Sequence, residues 1–178
     1  MSELGTLYAR ALYEIAQEAG VEQEILRELQ EVCAQLEAEP QYLRLMDSHT
    51  IPRRERAQML DAAFAKGLRA ETLSTLKLLM ERNAFGSVPD CAAAYRALYN
   101  AHHGIAEAKI VSAVEMDEDQ KARLIGALEA RTEKKITPCF VVDQSLRGGV
   151  RIELNGVCYD NSIATQLERM SRMLSSPA

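Results

Sequence analysis

The sequence predicts a mostly α-helical protein, with an N-terminal six-helix bundle over residues 1–104 and a smaller α+β C-terminal domain over residues 105–178. Hydrophobic residues make up 47% of the chain but aromatic residues only 5%, and tryptophan is absent. That composition is typical of helical proteins rich in Ala and Leu. Apolar residues recur at three- and four-residue steps up to His102, which indicates helices, and at two-residue steps after Gly104, which indicates strands. We therefore place the domain boundary near Gly104.

The first three helices are separated by Gly20 and Pro40, residues that interrupt or begin helices. The apolar stripe of the first helix comprises Leu4, Leu7, Tyr8, Ala11, Leu12 and Ile15. The stripe of the second helix comprises Ile25, Leu26, Leu29, Val32, Cys33 and Leu36. The third helix is the short segment QYLRLM after Pro40.

The next three helices complete the predicted bundle. Pro52 suits the first turn of a fourth helix, whose apolar residues are Ala57, Leu60, Ala63 and Phe64. A fifth helix is expected over about residues 70–83, on the periodicity of its leucines. The segment SVPD has the form of a capping box and is expected to begin a sixth helix that runs towards His102.

The C-terminal half alternates strands and helices. The first strand places Ala106, Ala108, Ile110, Ser112 and Val114 on one face. The segment MDEDQKARLIGALEARTEKK predicts an amphipathic helix, with acid at its start and base at its end, which suits the helix dipole. ITPCFVVD predicts a second strand, and Pro138 within it indicates an edge position or a bulge.

The segment RGGVRIELNGVCYDNS specifies a strand, a turn and a return strand. Gly148 and Gly149 suit a bend, because glycine adopts backbone angles closed to other residues. Asn155-Gly156 is a strong signal for a two-residue hairpin turn. Asp160, Asn161 or Ser162 would then cap a final helix, whose apolar face comprises Ile163, Leu167, Met170 and Leu174. Geometry accounts for the whole segment and leaves no residue for catalysis.

Several functional classes lack support in the sequence. A net charge of −5 provides no excess of basic residues for a nucleic-acid partner. No segment is long and apolar enough to cross a membrane, and the N-terminus lacks the features of a signal or transit peptide. We expect a soluble, bacterial-type cytoplasmic protein, and four free, buried and unreactive thiols at Cys33, Cys91, Cys139 and Cys158.

No metal or nucleotide site is expected either. His102 and His103 are adjacent and would point about 100° apart on a helix, and His49 lies in a predicted turn. The phosphate-binding, dinucleotide-binding and serine-hydrolase motifs are all missing. We predict no cofactor, no metal and no enzymatic activity.

The C-terminal segment GGVRIELNGVCYDNSIATQLERM resembles the signature of the delta subunit of the bacterial rotary ATP synthase, a relative of the mitochondrial oligomycin-sensitivity-conferring protein. The matching features are Gly148-Gly149, the strand from Val150 to Leu154, the turn Asn155-Gly156, the step Asp160-Asn161-Ser162, and Leu167 to Met170. YARALYEIA near the start resembles the opening helix of this family, and VSAVEMDEDQKARLIGALEARTEKKI resembles the segment that leads to Val142-Asp143. The departures, Asn161 and Asn155-Gly156, keep residues that tolerate positive φ.

This resemblance implies a non-catalytic stator subunit that links the catalytic head to the membrane-anchored peripheral stalk. The N-terminal domain would bind the N-terminal helix of an alpha subunit in a groove between the first and fifth helices. The residues implied for this site are Tyr8, Ala11, Leu12, Leu78, Leu79 and Arg82. The C-terminal domain would contact the b subunit, with Met170, Met173 and Leu174 as candidate contacts, although each of them could equally pack on the small sheet. The chain would then lie peripherally at the cytoplasmic face of the bacterial membrane, attached only through the complex.

Leu78 supports the implied groove from the sequence itself. It lies roughly opposite the apolar face of the fifth helix, although a single exposed Leu is common in soluble proteins. Tyr8 and Leu12 could equally belong to the core, and the sequence does not decide which flank of the first helix faces outwards. The alternative function is a small-ligand or regulatory α+β domain, which a concentrated polar pocket in the C-terminal half would favour.

Overall fold

The computed structural model describes residues 2–48, 50–146, 148–154 and 157–160. The chain divides into two compact units, residues 1–102 and residues 103–178. The first is helical and the second combines helix and sheet, so the predicted fold class is confirmed.

The described part of the first unit contains six α-helices. They are α1 (Glu3–Ala19), α2 (Glu22–Ala38), α3 (Pro40–Met46), α4 (Arg53–Phe64), α5 (Ala70–Glu81) and α6 (Val88–His102), with a 3-10 turn at Phe85–Ser87 before α6. The core is built mainly from Leu12, Ile25, Leu29, Leu36, Leu60, Leu76, Leu79, Met80, Phe85 and Tyr95. Burial of this apolar surface supplies most of the driving force for assembling the bundle.

The helices α1 and α5 are each followed by a residue with left-handed backbone angles. Gly20 has φ of 67° after α1, and its N–H bonds the carbonyl oxygens of Ala16 and Gln17. Asn83 has φ of 52° after α5, and the following Ala84 N–H bonds Leu79 O at 2.9 Å. Gly and Asn are the residues that tolerate this conformation best.

The apolar stripe of α1 differs from a simple core face. Leu4, Leu7 and Ile15 are exposed, and the buried residues are Gly5, Ala9, Leu12, Tyr13 and Ala16. Small residues let α1 pack closely on α6, so the larger aliphatic residues are not needed at that contact. The stripe therefore combines a few core residues with a solvent-facing apolar flank.

The apolar face predicted for α4 differs from the buried face in the structure. Leu60 and Phe64 are buried as expected, but Ala63 is exposed and Arg56 is buried. Arg56 reaches hydrogen-bond acceptors inside the unit, at Met46 O and Asn83 Oδ1. A periodicity of apolar residues cannot detect a buried cation of this kind.

The second unit is a four-stranded sheet with one described helix. Its elements are β1 (Ile105–Ser112), α7 (Glu118–Thr132), β2 (Lys135–Val142), β3 (Val150–Leu154) and β4 (Val157–Asp160). The strand order is β2-β1-β3-β4. The β1–β2 pair is parallel, with α7 as its crossover, and the other pairs are antiparallel.

The strand pattern agrees with the sequence prediction. Ala106, Ala108, Ile110 and Ser112 are buried, and α7 residues Leu124, Ile125 and Leu128 pack against this core. Pro138 lies on the edge strand β2, as predicted. The strand ends before Val114, however, and that side chain is exposed.

Gly148 and Gly149 precede β3 with φ of 133° and 87°, so the predicted bend uses backbone angles that favour glycine. The predicted turn Asn155-Gly156 and the predicted last helix, including Met170, Met173 and Leu174, lie outside the described residues.

The cysteines are all free, but the prediction that all four are buried is wrong. Cys91 is buried and Cys33 is half-buried, whereas Cys139 and Cys158 are exposed. Strand pairing aligns Cys139 with Lys109, and Cys158 with Glu153. Those side chains lie on the sheet face opposite the buried alanines and isoleucines, which explains their exposure.

Candidate functional site

The structure decides which flank of α1 faces outwards. Tyr13 packs edge-on against Tyr95 of α6, with ring centroids 5.4 Å apart. Gln17 hydrogen-bonds His102 of α6, with 3.1 Å between their side-chain nitrogens. At about 100° per residue, Leu4, Ala11 and Ile15 lie on a different flank from Tyr13 and Gln17. That second flank is the solvent-facing one.

The outward flank of α1 is unusually apolar for a helix surface. The exposed fraction of the side chains is 42% for Leu4, 62% for Leu7 and 50% for Ile15. Ala11 is exposed beside them, and Tyr8 is partly buried against the core. Contiguous exposed apolar surface of this kind is typical of a protein-binding site.

The helix α5 is held on two sides by neighbouring helices. At its start, the Glu28 carboxylate of α2 accepts hydrogen bonds from Arg69 N, at 3.1 Å, and from Thr72 Oγ1. Further along, Lys77 forms an ion pair with Asp61 of α4 at 2.6 Å. Leu76, Leu79 and Met80 complete its buried face.

The remaining side of α5 presents Leu78 and Arg82. Leu78 is 45% exposed, and Arg82, which follows the last residue of the helix, is also exposed. The two residues are four apart, so they project from the same side of the helix. Since α1 and α5 are packed neighbours, we define the α1–α5 surface as Leu4, Leu7, Tyr8, Ala11, Ile15, Leu78 and Arg82.

The six site residues implied by the sequence separate into two groups. Ala11, Leu78 and Arg82 are exposed and Tyr8 is partly exposed, so these four can contact a partner. Leu12 and Leu79 are fully buried and belong to the hydrophobic core of the first unit. The structure adds Leu4, Leu7 and Ile15, which the sequence had signalled only as members of one apolar stripe.

Chemistry that would suit an enzyme or a metal site is sparse in the described part of the chain. No group of three or more His, Cys, Asp or Glu side chains there could hold a metal ion. In the second unit, a cavity of about 570 Å³ is lined by Ser112, Ala113, Val114, Met116, Gln120, Gln144, Leu146, Gly148, Gly149 and Val150. None of these ten residues has a side chain that ionises near neutral pH, and the Ser112 hydroxyl already donates to Val114 O at 2.7 Å.

A second cavity, of about 240 Å³, lies between α7 and the sheet, beside Leu128, Arg131, Thr132, Ile152, Leu154 and Tyr159. Its lining is also mainly apolar, and Arg131 and Tyr159 are exposed. Neither cavity has the concentrated polar lining that would favour a small-ligand function. Among the described helices, none has the length and apolar character of a membrane span.

Comparison with known proteins agrees with the fold and the resemblance. The family model for the ATP synthase delta (OSCP) subunit matches residues 4–174. An ATP synthase subunit delta of Desulforamulus reducens is 31% identical over 169 residues, covering 95% of this chain and 93% of the relative. An ATP synthase subunit delta of Burkholderia mallei is 32% identical over 183 residues, covering 99% of this chain and 100% of the relative.

A solved structure supports the fold over the whole chain. A chain of the Toxoplasma gondii mitochondrial ATP synthase hexamer, determined by cryo-EM, matches with a TM-score of 0.76 at 18% identity, covering 100% of both chains. The sequence relatives and the family model together decide the family. The chain belongs to the ATP synthase delta (OSCP) subunit family, whose members are non-catalytic subunits in the peripheral stalk of the F-type ATP synthase.

Proposed function

We propose that this chain binds the N-terminal helix of an alpha subunit on its α1–α5 surface, and the b-subunit stalk through its second unit. It thereby ties the catalytic head to the membrane-anchored stalk and resists the torque of rotation. It acts at the cytoplasmic face of the bacterial membrane and reaches the membrane only through the complex.

The observation that carries the alpha-subunit part of the proposal is the exposed apolar flank of α1, together with the exposed Leu78 of α5, a helix that packs against α1. An amphipathic helix docks by laying its own apolar face into such a surface, with anchors at three- and four-residue steps. Leu4, Leu7, Ala11 and Ile15 repeat at the same steps and can contact successive turns of a partner. Arg82 is exposed one turn after Leu78, where it can pair with a carboxylate of the bound helix.

The stalk contact rests on the family resemblance, since its candidate residues Met170, Met173 and Leu174 lie outside the described residues. Two modest interfaces on one chain suit a clamp that must not slip. When one interface is engaged, the other rebinds at a high effective concentration, so simultaneous release of both is rare.

The proposal is tested by calorimetric titration of the full chain with a peptide that spans the N-terminal helix of the cognate alpha subunit. Leu78→Asp and Leu7→Asp each place a charge in the apolar contact, and each should weaken binding by about 100-fold or more. Ala34→Asp is the matched control, because Ala34 is exposed on α2, outside the surface. It should bind like wild type.

Circular dichroism must show wild-type helicity in all three variants. Wild-type affinity in both leucine variants would overturn the placement of the site. A folded wild-type chain that fails to bind the peptide would overturn the alpha-subunit part of the proposal, and would return attention to the small-ligand alternative.

A further inference from the structure

A buried cation lies next to the end of α5. Arg56 of α4 is only 2% exposed, and its Nη1 donates to Met46 O at 2.5 Å and to Asn83 Oδ1 at 3.2 Å. Its Nε is buried and has no partner among the described residues. A buried charge is costly unless neighbouring polar groups compensate it. The groups around Arg56 must therefore offset the cost of removing its charge from water.

The compensation comes from two helix ends. Met46 is the last residue of α3, and Asn83 follows the end of α5. The C-terminal ends of helices carry unpaired carbonyl groups and a partial negative charge. The Arg56 guanidinium is therefore placed where the ends of α3 and α5 converge, and it joins both of them to α4.

Asp47 supplies the matching contact to the next element. Its carboxylate accepts hydrogen bonds from Phe85 N at 2.7 Å and Gly86 N at 2.9 Å, at the start of the 3-10 turn before α6. A negative charge is favourable there because these N–H groups begin a helical segment. A Cβ atom on Gly86 would lie 3.2 Å from Asp47 Oδ2, so the approach is close.

These contacts surround the segment that presents Leu78 and Arg82, the two α5 residues of the α1–α5 surface. Arg82 N bonds Leu78 O at 3.1 Å, which makes the two exposed residues part of the last turn of α5. Asn83 then reverses the chain with its left-handed φ and holds Arg56 through its side chain. The hydrogen bond between Arg56 and Asn83 thus holds the end of α5 on its buried side. Asp47 holds the segment that follows, through Phe85 N and Gly86 N.

We propose that Arg56, Asn83 and Asp47 act as a lock that positions the last turn of α5 and thereby sets the affinity of the α1–α5 surface for its partner helix. Arg56 is a positioning residue, since it is buried and does not reach the surface. The affinity part rests on the function proposed above, whereas the ordering of the turn does not.

The test uses the full chain, three variants of the lock and one control variant. Asn83→Gly keeps the left-handed backbone and removes the acceptor for Arg56. Arg56→Met removes the charge and the donors, and Arg56→Lys restores a charge between the helix ends. Val32→Ala destabilises the core on α2, away from the lock, and serves as the control for a general loss of stability.

Two readouts are measured, namely hydrogen exchange of the Arg82 and Ala84 amides and calorimetric affinity for the alpha-subunit peptide. Asn83→Gly and Arg56→Met should speed hydrogen exchange at these amides. They should also lower the affinity for the peptide about 3- to 30-fold. Arg56→Lys should recover part of the exchange protection and part of the affinity that Arg56→Met loses. Val32→Ala should leave the affinity unchanged.

The outcomes separate the two proposals. Unchanged exchange at Arg82 and Ala84 in Asn83→Gly would overturn the lock, whether or not the peptide binds. Faster exchange with unchanged affinity would overturn the link between the lock and the surface. A wild-type chain that does not bind the peptide would overturn both the proposed function and that link, and exchange would still decide whether the lock orders the turn. Should Arg56→Met fail to fold, Asn83→Gly alone decides.

Discussion

Gly5 of α1 faces Asp90 of α6 so closely that a Cβ atom on Gly5 would lie 3.0 Å from the Asp90 Cβ and 3.0 Å from Ser87 O. The same two α6-side residues bind the start of the chain. Ser2 N donates to Asp90 Oδ2 at 2.8 Å, and Ser87 Oγ donates to Ser2 Oγ at 3.2 Å. These contacts therefore hold the first turn of α1 against the start of α6.

The first prediction concerns this contact. Gly5→Ala should destabilise the helical unit by about 1–3 kcal/mol, because the new methyl group meets backbone and a short side chain that cannot give way. Gly126→Ala is the matched control, since no atom of the described residues lies within 4 Å of a Cβ there and the position is inside α7. It should stabilise its unit by up to about 1 kcal/mol. Urea unfolding of both variants measures the difference, and an equal response would contradict the packing described.

The second prediction concerns thiol reactivity. Burial raises the pKa of Cys91 to about 12, with a smaller contribution from nearby Cys33, whose own pKa burial also raises. The thiolate is the reactive form, so Cys91 should resist labelling in the native chain near pH 8. Cys139 and Cys158 are exposed and should label rapidly. Labelling with a chromogenic disulfide, followed by peptide mass mapping, identifies the sites. Rapid native labelling of Cys91 would contradict its burial.

The same pKa shift makes stability depend on pH. Above the ordinary thiol pKa of 9.0, the unfolded chain loses the Cys91 proton while the folded chain keeps it until about pH 12. Stability is therefore fully present below pH 9 and falls as pH rises, by about 1 kcal/mol from Cys91 alone between pH 8 and pH 10. Cys91→Ala should show a correspondingly flatter pH dependence in denaturant unfolding. An identical slope in the two proteins would exclude Cys91 as the source.

The third prediction concerns the edge strand β2. Glu129 of α7 accepts a hydrogen bond from Ile136 N at 3.0 Å, and Pro138 two residues later has no N–H to offer. Together they protect the first half of an edge that could otherwise pair with another chain. Glu129→Ala should increase self-association in sedimentation experiments at high protein concentration, whereas Glu129→Gln retains an acceptor and should not. Equal sedimentation of wild type and Glu129→Ala would show that the cap is not needed.

The fourth prediction concerns the start of α7. Gln120 N donates to Asp117 Oδ1 at 2.7 Å, and Asp117 N donates to Gln120 Oε1 at 3.3 Å, a reciprocal capping box. Asp117→Ala should cost about 1 kcal/mol in the stability of the second unit, while Asp117→Ser should preserve most of it. Hydrogen exchange along β1 reports on that unit separately from the bundle. No change in exchange for Asp117→Ala would indicate that the cap contributes little.

Local chemistry was sufficient to predict several of the described elements. Gly20 and Asn83 end helices through left-handed backbone angles that few other residues adopt easily. The alternation of Ala106, Ala108 and Ile110 predicted the buried face of β1, and Pro138 predicted the edge position of β2. The Asp and Gln of MDEDQ produce the cap of α7. The order of these local signals also carried the family resemblance over the whole chain.

The candidate site was only partly accessible to such reasoning. Leu78 could be found because it breaks the periodicity of its own helix. The resemblance implies Leu12 and Leu79 as groove residues, with Leu12 equally assignable to the core, and both are fully buried. A helical stripe gives only the angles between side chains and not the neighbour that covers each of them. On α1, the small residues Gly5 and Ala9 form the core contact, so the larger Leu7 and Ile15 remain outside.

The local pattern of residues thus determined which of the described segments form helices and which form strands, and which family the chain belongs to. Tertiary packing decided which flank of α1 faces solvent, and that Arg56 is buried between two helix ends. Both depend on contacts between segments distant in sequence, as when Arg56 reaches Asn83, 27 residues away. Spacing along one helix carries no information about such contacts, because burial is a property of the assembled neighbours.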